Sequence, residues 1–111
     1  RLAVATKRYY VYVIELSQEV ATIRKFRERN PHYIKGNTCV YVGQSIRMPA
    51  LRMDQHKEGY KSNKYAKKFG LALRPDLFQK YNPIPTRKDA EEIETMLAKQ
   101  LQKQGFGVWC N

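Results

Sequence analysis

Apolar positions along this chain follow two different rhythms. Over residues 8–16 they alternate without leaving a polar face. Tyr10, Tyr12, Ile14 and Leu16 point one way, and Tyr9, Val11 and Val13 the other. A strand that is apolar on both faces belongs at the centre of a sheet, with a layer on each side. Ser17 has the chemistry of an N-cap. Val20, Ile23 and Phe26 then lie on one broad apolar side, which predicts a helix over 18–29 that Asn30-Pro31 stops. A turn at Gly36-Asn37 leads into a second strand over 38–43. Pro49 suits a first helical turn, the helix continues over 50–57, and Gly59 breaks it. Ser62 is expected to cap a short helix ending near Gly70, and "DLFQKY" places a third strand within 75–81, ended by Pro83 and Pro85. Thr86, with Asp89 three residues on, opens the last helix, which runs to about Gln104 and stops at Gly105. "FGVWCN" follows as a tail whose Trp109 docks as core or cap, and residues 1–6 form a lead-in.

This order predicts an α/β or α+β sandwich. A small three-stranded mixed or antiparallel sheet is flanked by helices, with a helical insertion at about 17–37 between the first two strands. A length of 111 residues predicts a single domain over 1–111. The first residue is Arg1 rather than Met, so the domain is expected to be part of a longer chain, or excised from one. No apolar run approaches the roughly 20 residues that cross a bilayer, and no charged segment precedes an apolar one in the manner of a secretory signal. Cys39 and Cys110 make neither a disulfide framework nor a zinc set. They read as packing thiols in a reducing cytoplasm.

Charge then changes the picture. Lys and Arg exceed Asp and Glu by enough to give +11, which favours a polyanionic partner. Nucleic acid is the expected one, bound through its phosphates with release of counterions. A membrane surface would need a basic amphipathic helix with a clean apolar face, and the sequence has none.

If the first two strands pair, Tyr12 and Tyr41 emerge on one face while Val11, Val13, Val40 and Val42 line the other. Gly43 then lets another group approach the backbone closely. Here the residues resemble the GIY-YIG nuclease family. "YVY" at 10–12 and "YVG" at 41–43 resemble its paired signature. "YVGQS" followed by Arg52 and, four residues later, His56 resembles its strand-to-helix passage. "DAEEIETMLAKQL" resembles its acidic helix, with Glu94 at the metal-ligand position, and Asn111 resembles its late asparagine. The resemblance spans about 9–111. The sequence departs from the family pattern in four ways. Tyr10 replaces the opening glycine, valine stands at both middle isoleucines, the insertion lengthens the connection, and Arg52 falls about one residue later than usual, a shift that Met48-Pro49 can absorb.

The resemblance implies an endonuclease that hydrolyses DNA with Mg²⁺ or Mn²⁺, leaving 5′-phosphate and 3′-hydroxyl ends. It needs no small-molecule cofactor, and its target would come from a DNA-targeting domain elsewhere or from a homodimer partner. Glu94 shares the inward side of the last helix with Ala90, Ile93, Leu97 and Leu101, so its carboxylate needs either a metal ion or a cationic side chain. Arg52 and His56 stack on one helical face. They suit a phosphate clamp and a proton-handling group, or else a solvated basic helix. Tyr12 and Tyr41 are either sheet aromatics with surface hydroxyls or groups that orient or deprotonate the attacking water. Asn111 joins them as a positioning group. Arg47, Lys57, Lys61, Lys64, Lys67 and Lys68 are the expected nucleic-acid contacts, with Tyr65 and Phe69 the buried side of their helix. Arg24, Lys25, Arg27 and Arg29 either extend that footprint or are solvated. The rival reading is a non-cleaving module that binds DNA or RNA on the same fold.

Overall fold

The computed structural model describes residues 7–111, and the lead-in expected over 1–6 lies outside them. Strands β1 (Tyr10–Leu16) and β2 (Cys39–Ser45) form the centre of a mixed sheet. They run antiparallel, with Tyr12 opposite Gly43, Val13 opposite Val42 and Ile14 opposite Tyr41. Val11, Val13, Val40 and Val42 therefore share one buried face, and Tyr12 and Tyr41 share the other. Between the strands the chain forms a 3₁₀ turn at Gln18–Thr22 and helix α1 (Arg24–Arg29). After β2 come α2 (Pro49–Glu58), α3 (Lys64–Phe69), β3 (Gly70–Leu73), α4 (Pro75–Phe78), α5 (Arg87–Lys103) and β4 (Gly107–Cys110). The spatial order is β3-β1-β2-β4, with β3 antiparallel to β1 and β4 parallel to β2.

Three expectations need correction. The sheet has four strands instead of three, because the tail pairs with β2 and buries Trp109, Val108 and Gly107. The third strand is Gly70–Leu73, and residues 75–81 are helical. In "DLFQKY" the apolar positions 77, 78 and 81 follow helical spacing, and Pro75 has a φ suited to a first turn. Arg74 anchors that turn, donating twice to Asp76, at 3.0 and 2.9 Å, and once to Glu15 at 3.0 Å. The insertion helix is broken, since Ile23 is extended (φ −82°, ψ 123°) between the 3₁₀ turn and α1. Val20, Thr22 and Ile23 are β-branched and weak helix formers. Thr22 moreover donates its hydroxyl proton to the carbonyl of Glu19 at 2.7 Å.

The caps are largely local chemistry. Thr86 accepts the Asp89 N–H at 3.1 Å and opens α5. Asn63, one residue after the expected Ser62, caps α3. Trp109 of β4 stacks on Phe26 of α1 and meets Tyr65 of α3 edge-on, and Phe26 and Tyr65 also meet edge-on. On α5, Ala90, Leu97, Ala98 and Leu101 are buried, and the helix lies against β4 and β2. No helix among the described residues is long and apolar enough to cross a membrane.

Candidate active site

The antiparallel register builds the site. Tyr12 lies opposite Gly43, and a Cβ on that glycine would sit 2.5 Å from the Tyr12 hydroxyl and 2.6 Å from its ring carbon Cζ. The glycine is therefore the seat of the Tyr12 phenol. Tyr41 stands diagonally beside it, with ring centroids 6.1 Å apart. Neither ring lies on the surface, at 1% and 2% exposed, which removes the reading of sheet aromatics with solvated hydroxyls.

Helix α2 carries Arg52 and His56 one turn apart. His56 is 1% exposed and packs against both phenols, with centroids 5.9 and 5.4 Å away. The backbone N–H of Asn63 donates to its Nδ1 at 3.1 Å, so that nitrogen carries no proton. In the neutral ring the proton then sits on Nε2, which donates to the Tyr12 hydroxyl oxygen at 2.9 Å. Burial, aided by the charge of Arg52, lowers the imidazole to about 4, so the ring is neutral near pH 7. The Tyr12 hydroxyl proton is consequently directed away from the histidine. Burial pushes that phenol up to about 12, opposed by Arg52 and reinforced by Glu94. Tyr41 is raised further by burial and by its neighbours Tyr12 and Glu94.

Asn111 donates to the Tyr41 hydroxyl at 2.8 Å, and its own side-chain oxygen accepts from Asn63 at 3.2 Å. Asn63 thus ties together the α3 cap, the His56 tautomer and Asn111. Sequence reasoning missed it, because its part depends on a backbone N–H and on a partner 48 positions away. The only local signal was its type, an asparagine just ahead of a helix.

Arg52 is not a free guanidinium. It donates to the carbonyls of Tyr60 at 3.2 Å and Lys61 at 2.6 Å, and to Gln55 at 3.3 Å. These bonds hold the loop after α2, where Lys61 takes a left-handed φ of 42°. Its charge still reaches the site, where it acts on Tyr12, Tyr41 and His56.

Glu94 projects from α5 and is half-buried. It makes no salt bridge or hydrogen bond among the described residues, so the ion pair considered for it is not formed. Burial first, then Glu91, pushes its carboxyl up to about 7. Its charge acts on Tyr12, Tyr41 and Cys110 and raises all three. No cluster of three or more His, Cys, Asp or Glu side chains that could hold a metal occurs among the described residues. A magnesium-type ion does not need one, since one carboxylate, waters and substrate phosphate oxygens complete its shell. A half-buried carboxyl with no ion-pair partner among the described residues fits that donor role.

Of these groups Arg52 alone lines a cavity of about 300 Å³, together with Gln44, Arg47, Tyr60, Lys61 and Arg87 among others. Four of its lining residues are cationic and none is acidic. Arg87 was not anticipated, because it arrives from the first turn of α5. Of the expected contacts, Arg47 and Lys61 line this cavity. Lys57 instead caps backbone, donating to the carbonyls of Lys67 at 3.1 Å and Gly70 at 2.9 Å. Lys64 and Lys68 lie over the rings of Tyr65 and Phe69, and those rings are buried. Lys67 is exposed on α3 beside Gly59. On the inserted helix Arg24 pairs with Glu28, Arg27 binds the carbonyls of Ala21 and Thr22, and Arg29 binds that of Cys110.

A mixed sheet of this order, with Tyr12 and Tyr41 against Gly43 and His56 packed on both phenols, defines a small α+β domain. The family model of the GIY-YIG catalytic domain matches residues 8–106, nearly the whole length, and the chain belongs to that family. The family is one of endonucleases, and membership implies an activity of nuclease type. No curated protein and no solved structure matches the chain significantly.

Proposed function

We propose that this chain is a divalent-cation-dependent endonuclease that hydrolyses DNA phosphodiester bonds to 5′-phosphate and 3′-hydroxyl ends. The observation that carries the reading is Glu94, a half-buried carboxyl with no ion-pair or hydrogen-bond partner among the described residues, whose charge acts on two buried phenols. Glu94 is the residue that would hold the ion, Mg²⁺ or Mn²⁺. When bound, such an ion supplies Lewis-acid neutralisation of the scissile phosphate and of the leaving 3′ oxygen.

The protein's own groups divide the remaining work. Arg52, fixed by the Tyr60 and Lys61 carbonyls, sets a positive potential that offsets charge growing on the phosphate. Arg47, Lys61 and Arg87 line the polar cavity along which the DNA backbone enters. Tyr12 orients the attacking water. Its hydroxyl oxygen is occupied by the His56 Nε2–H, and its own proton is free to point at that water or at a phosphate oxygen. With the phenol raised to about 12, deprotonation by Tyr12 needs the cations of the loaded site to bring it down. Tyr41, held by Asn111, walls the other side.

One site cuts one strand, so a double-strand break calls for a second copy or a second visit. Targeting falls to a further domain or to a partner copy. The domain is taken as one catalytic unit over 1–111. The free thiols of Cys39 and Cys110 suit a reducing compartment such as the cytoplasm.

The test is nicking of supercoiled plasmid with Mg²⁺ or Mn²⁺, by the parent and by Glu94→Gln. The parent is expected to nick, and the variant to lose about a hundredfold or more while still binding DNA. Equal cutting by both would overturn the reading. Salt-sensitive binding without cutting by the parent under any divalent cation would establish the non-cleaving module instead.

A further inference from the structure

A second cavity, of about 710 Å³, lies outside the catalytic cluster, between the inserted segment and the end of α5. Its walls include Arg29, His32 and Tyr33 from the insertion, and Lys99, Lys103 and Phe106 from α5 and the turn beyond it. It contains cations and rings but no acidic side chain.

The cavity is preformed. Asn30, 5% exposed, donates to the carbonyls of Phe26 at 2.8 Å and Val108 at 2.9 Å. Its oxygen accepts from the Val108 N–H at 2.8 Å and from Gln102 at 3.0 Å. Gln102 also binds the Arg29 carbonyl at 3.0 Å, and Asn37 binds the Gly105 carbonyl at 3.2 Å. The Tyr33 hydroxyl donates to the Asn37 carbonyl at 2.8 Å, which fixes the ring. A loop fastened at this many points presents its side chains with little further loss of entropy when a ligand arrives.

The cavity is also joined to the catalytic cluster. Asn111 binds the Tyr41 hydroxyl, and the carbonyl of adjacent Cys110 accepts from Arg29 at 3.0 Å. Glu94 and Arg29 both act on the Cys110 thiol, in opposite directions. Along α5, Glu94 and Gln102 are about 12 Å apart at the helical rise. A strand with its phosphate at the catalytic cluster can therefore continue past Arg29 into the cavity.

We propose that this cavity holds an unpaired nucleotide of the strand being cut, so that the enzyme prefers DNA in which a single-stranded segment adjoins the cleavage point. Lys99, Lys103 and the outer edge of Arg29 meet the phosphates, and Tyr33 and Phe106 meet the base. Three cations and no acid complement a phosphate chain, and stacking on a ring tolerates any base. A duplex cannot present a base to a recess of this kind without unpairing it. The proposal rests on the nuclease reading, which supplies the DNA.

The test uses binding and crosslinking, neither of which requires cutting. A blunt duplex and the same duplex with a short single-stranded extension carrying 5-iodouracil are offered to the Glu94→Gln protein. Irradiation is expected to label the peptide containing Tyr33 or the one containing Phe106. Adding Lys99→Gln and Lys103→Gln, both at exposed positions, is expected to weaken the extended duplex about tenfold and the blunt duplex less than twofold. An equal loss on both DNAs, no loss on either, or labelling confined to other peptides would overturn the proposal. Failure of the nuclease reading looks different: the parent and Glu94→Gln would nick alike, whatever the crosslink shows.

Discussion

A methyl group added at Gly43 would arrive 2.5 Å from the Tyr12 hydroxyl oxygen, in a layer where both tyrosines are buried. Gly43→Ala is therefore expected to displace the phenol, lose plasmid nicking and cost about 1–3 kcal/mol in urea unfolding. In a Tyr12→Val background the ring is gone, and the same change should cost less than half as much. Equal costs in both backgrounds would mean that the collision is not with Tyr12. His56 supplies a second residue-scale expectation. Its folded value, about 4, lies below the ordinary 6.5, so the unfolded chain binds the proton more readily. Its contribution to stability is complete above pH 6.5 and is lost as pH falls toward 4. His56→Gln should lower stability at pH 7 yet flatten the fall between pH 7 and 4.5, by about 1–3 kcal/mol in urea midpoints. An unchanged slope would show that the ring is not held neutral. Tyr12, Tyr41, Arg52, His56, Glu94 and Asn111 could be named from the sequence as candidates, because side-chain type and order along the chain are what one sequence displays. The tautomer of His56 could not, because it is set by the backbone of Asn63.

At the scale of elements, β1 and β2 were legible because a strand apolar on both faces is stable only in the middle of a sheet covered on both sides. β4 was not, since four residues without a turn signal behind them carry too little pattern, and its pairing depends on a crossover through α5. The misplaced third strand had a related cause. An apolar cluster between prolines fits a short strand or a single helical turn, and the Arg74 bonds to Asp76 and Glu15 favour the turn. The same stretch closes the free edge of β1. Where β3 does not reach, Asn82 accepts the Val11 N–H at 2.9 Å and donates to the Val11 carbonyl at 2.8 Å, in place of a strand. Asn82→Ala is expected to cost about 1–3 kcal/mol and to turn the Val11 amide from slow to fast hydrogen exchange. A Val11 amide that stays slow in the variant would mean that another group guards this edge.

The whole molecule carries +11, yet Glu94 stays half-buried with no ion-pair partner among the described residues. The cost of that arrangement should be measurable apart from catalysis. Glu94 titrates near 7 in the fold against an ordinary 4.5, so folding favours its protonated form. That favourable contribution is present below about pH 4.5 and is lost as pH rises through 7. At pH 8, with no divalent cation, Glu94→Gln is therefore expected to be more stable than the parent by about 1 kcal/mol, after discounting for the solvent that still reaches the group. The difference should close at pH 4.5, where the parent carboxyl is also neutral in the fold. It should close at pH 8 as well when Mg²⁺ or Mn²⁺ is added, because an ion that binds the folded carboxylate stabilises only the parent. Thermal unfolding under these three conditions separates a ligand awaiting its cation from an acid already neutralised by the protein. If the parent proves the more stable at pH 8 without metal, Glu94 has a cationic side chain for a partner, and the requirement for an ion loses its physical basis.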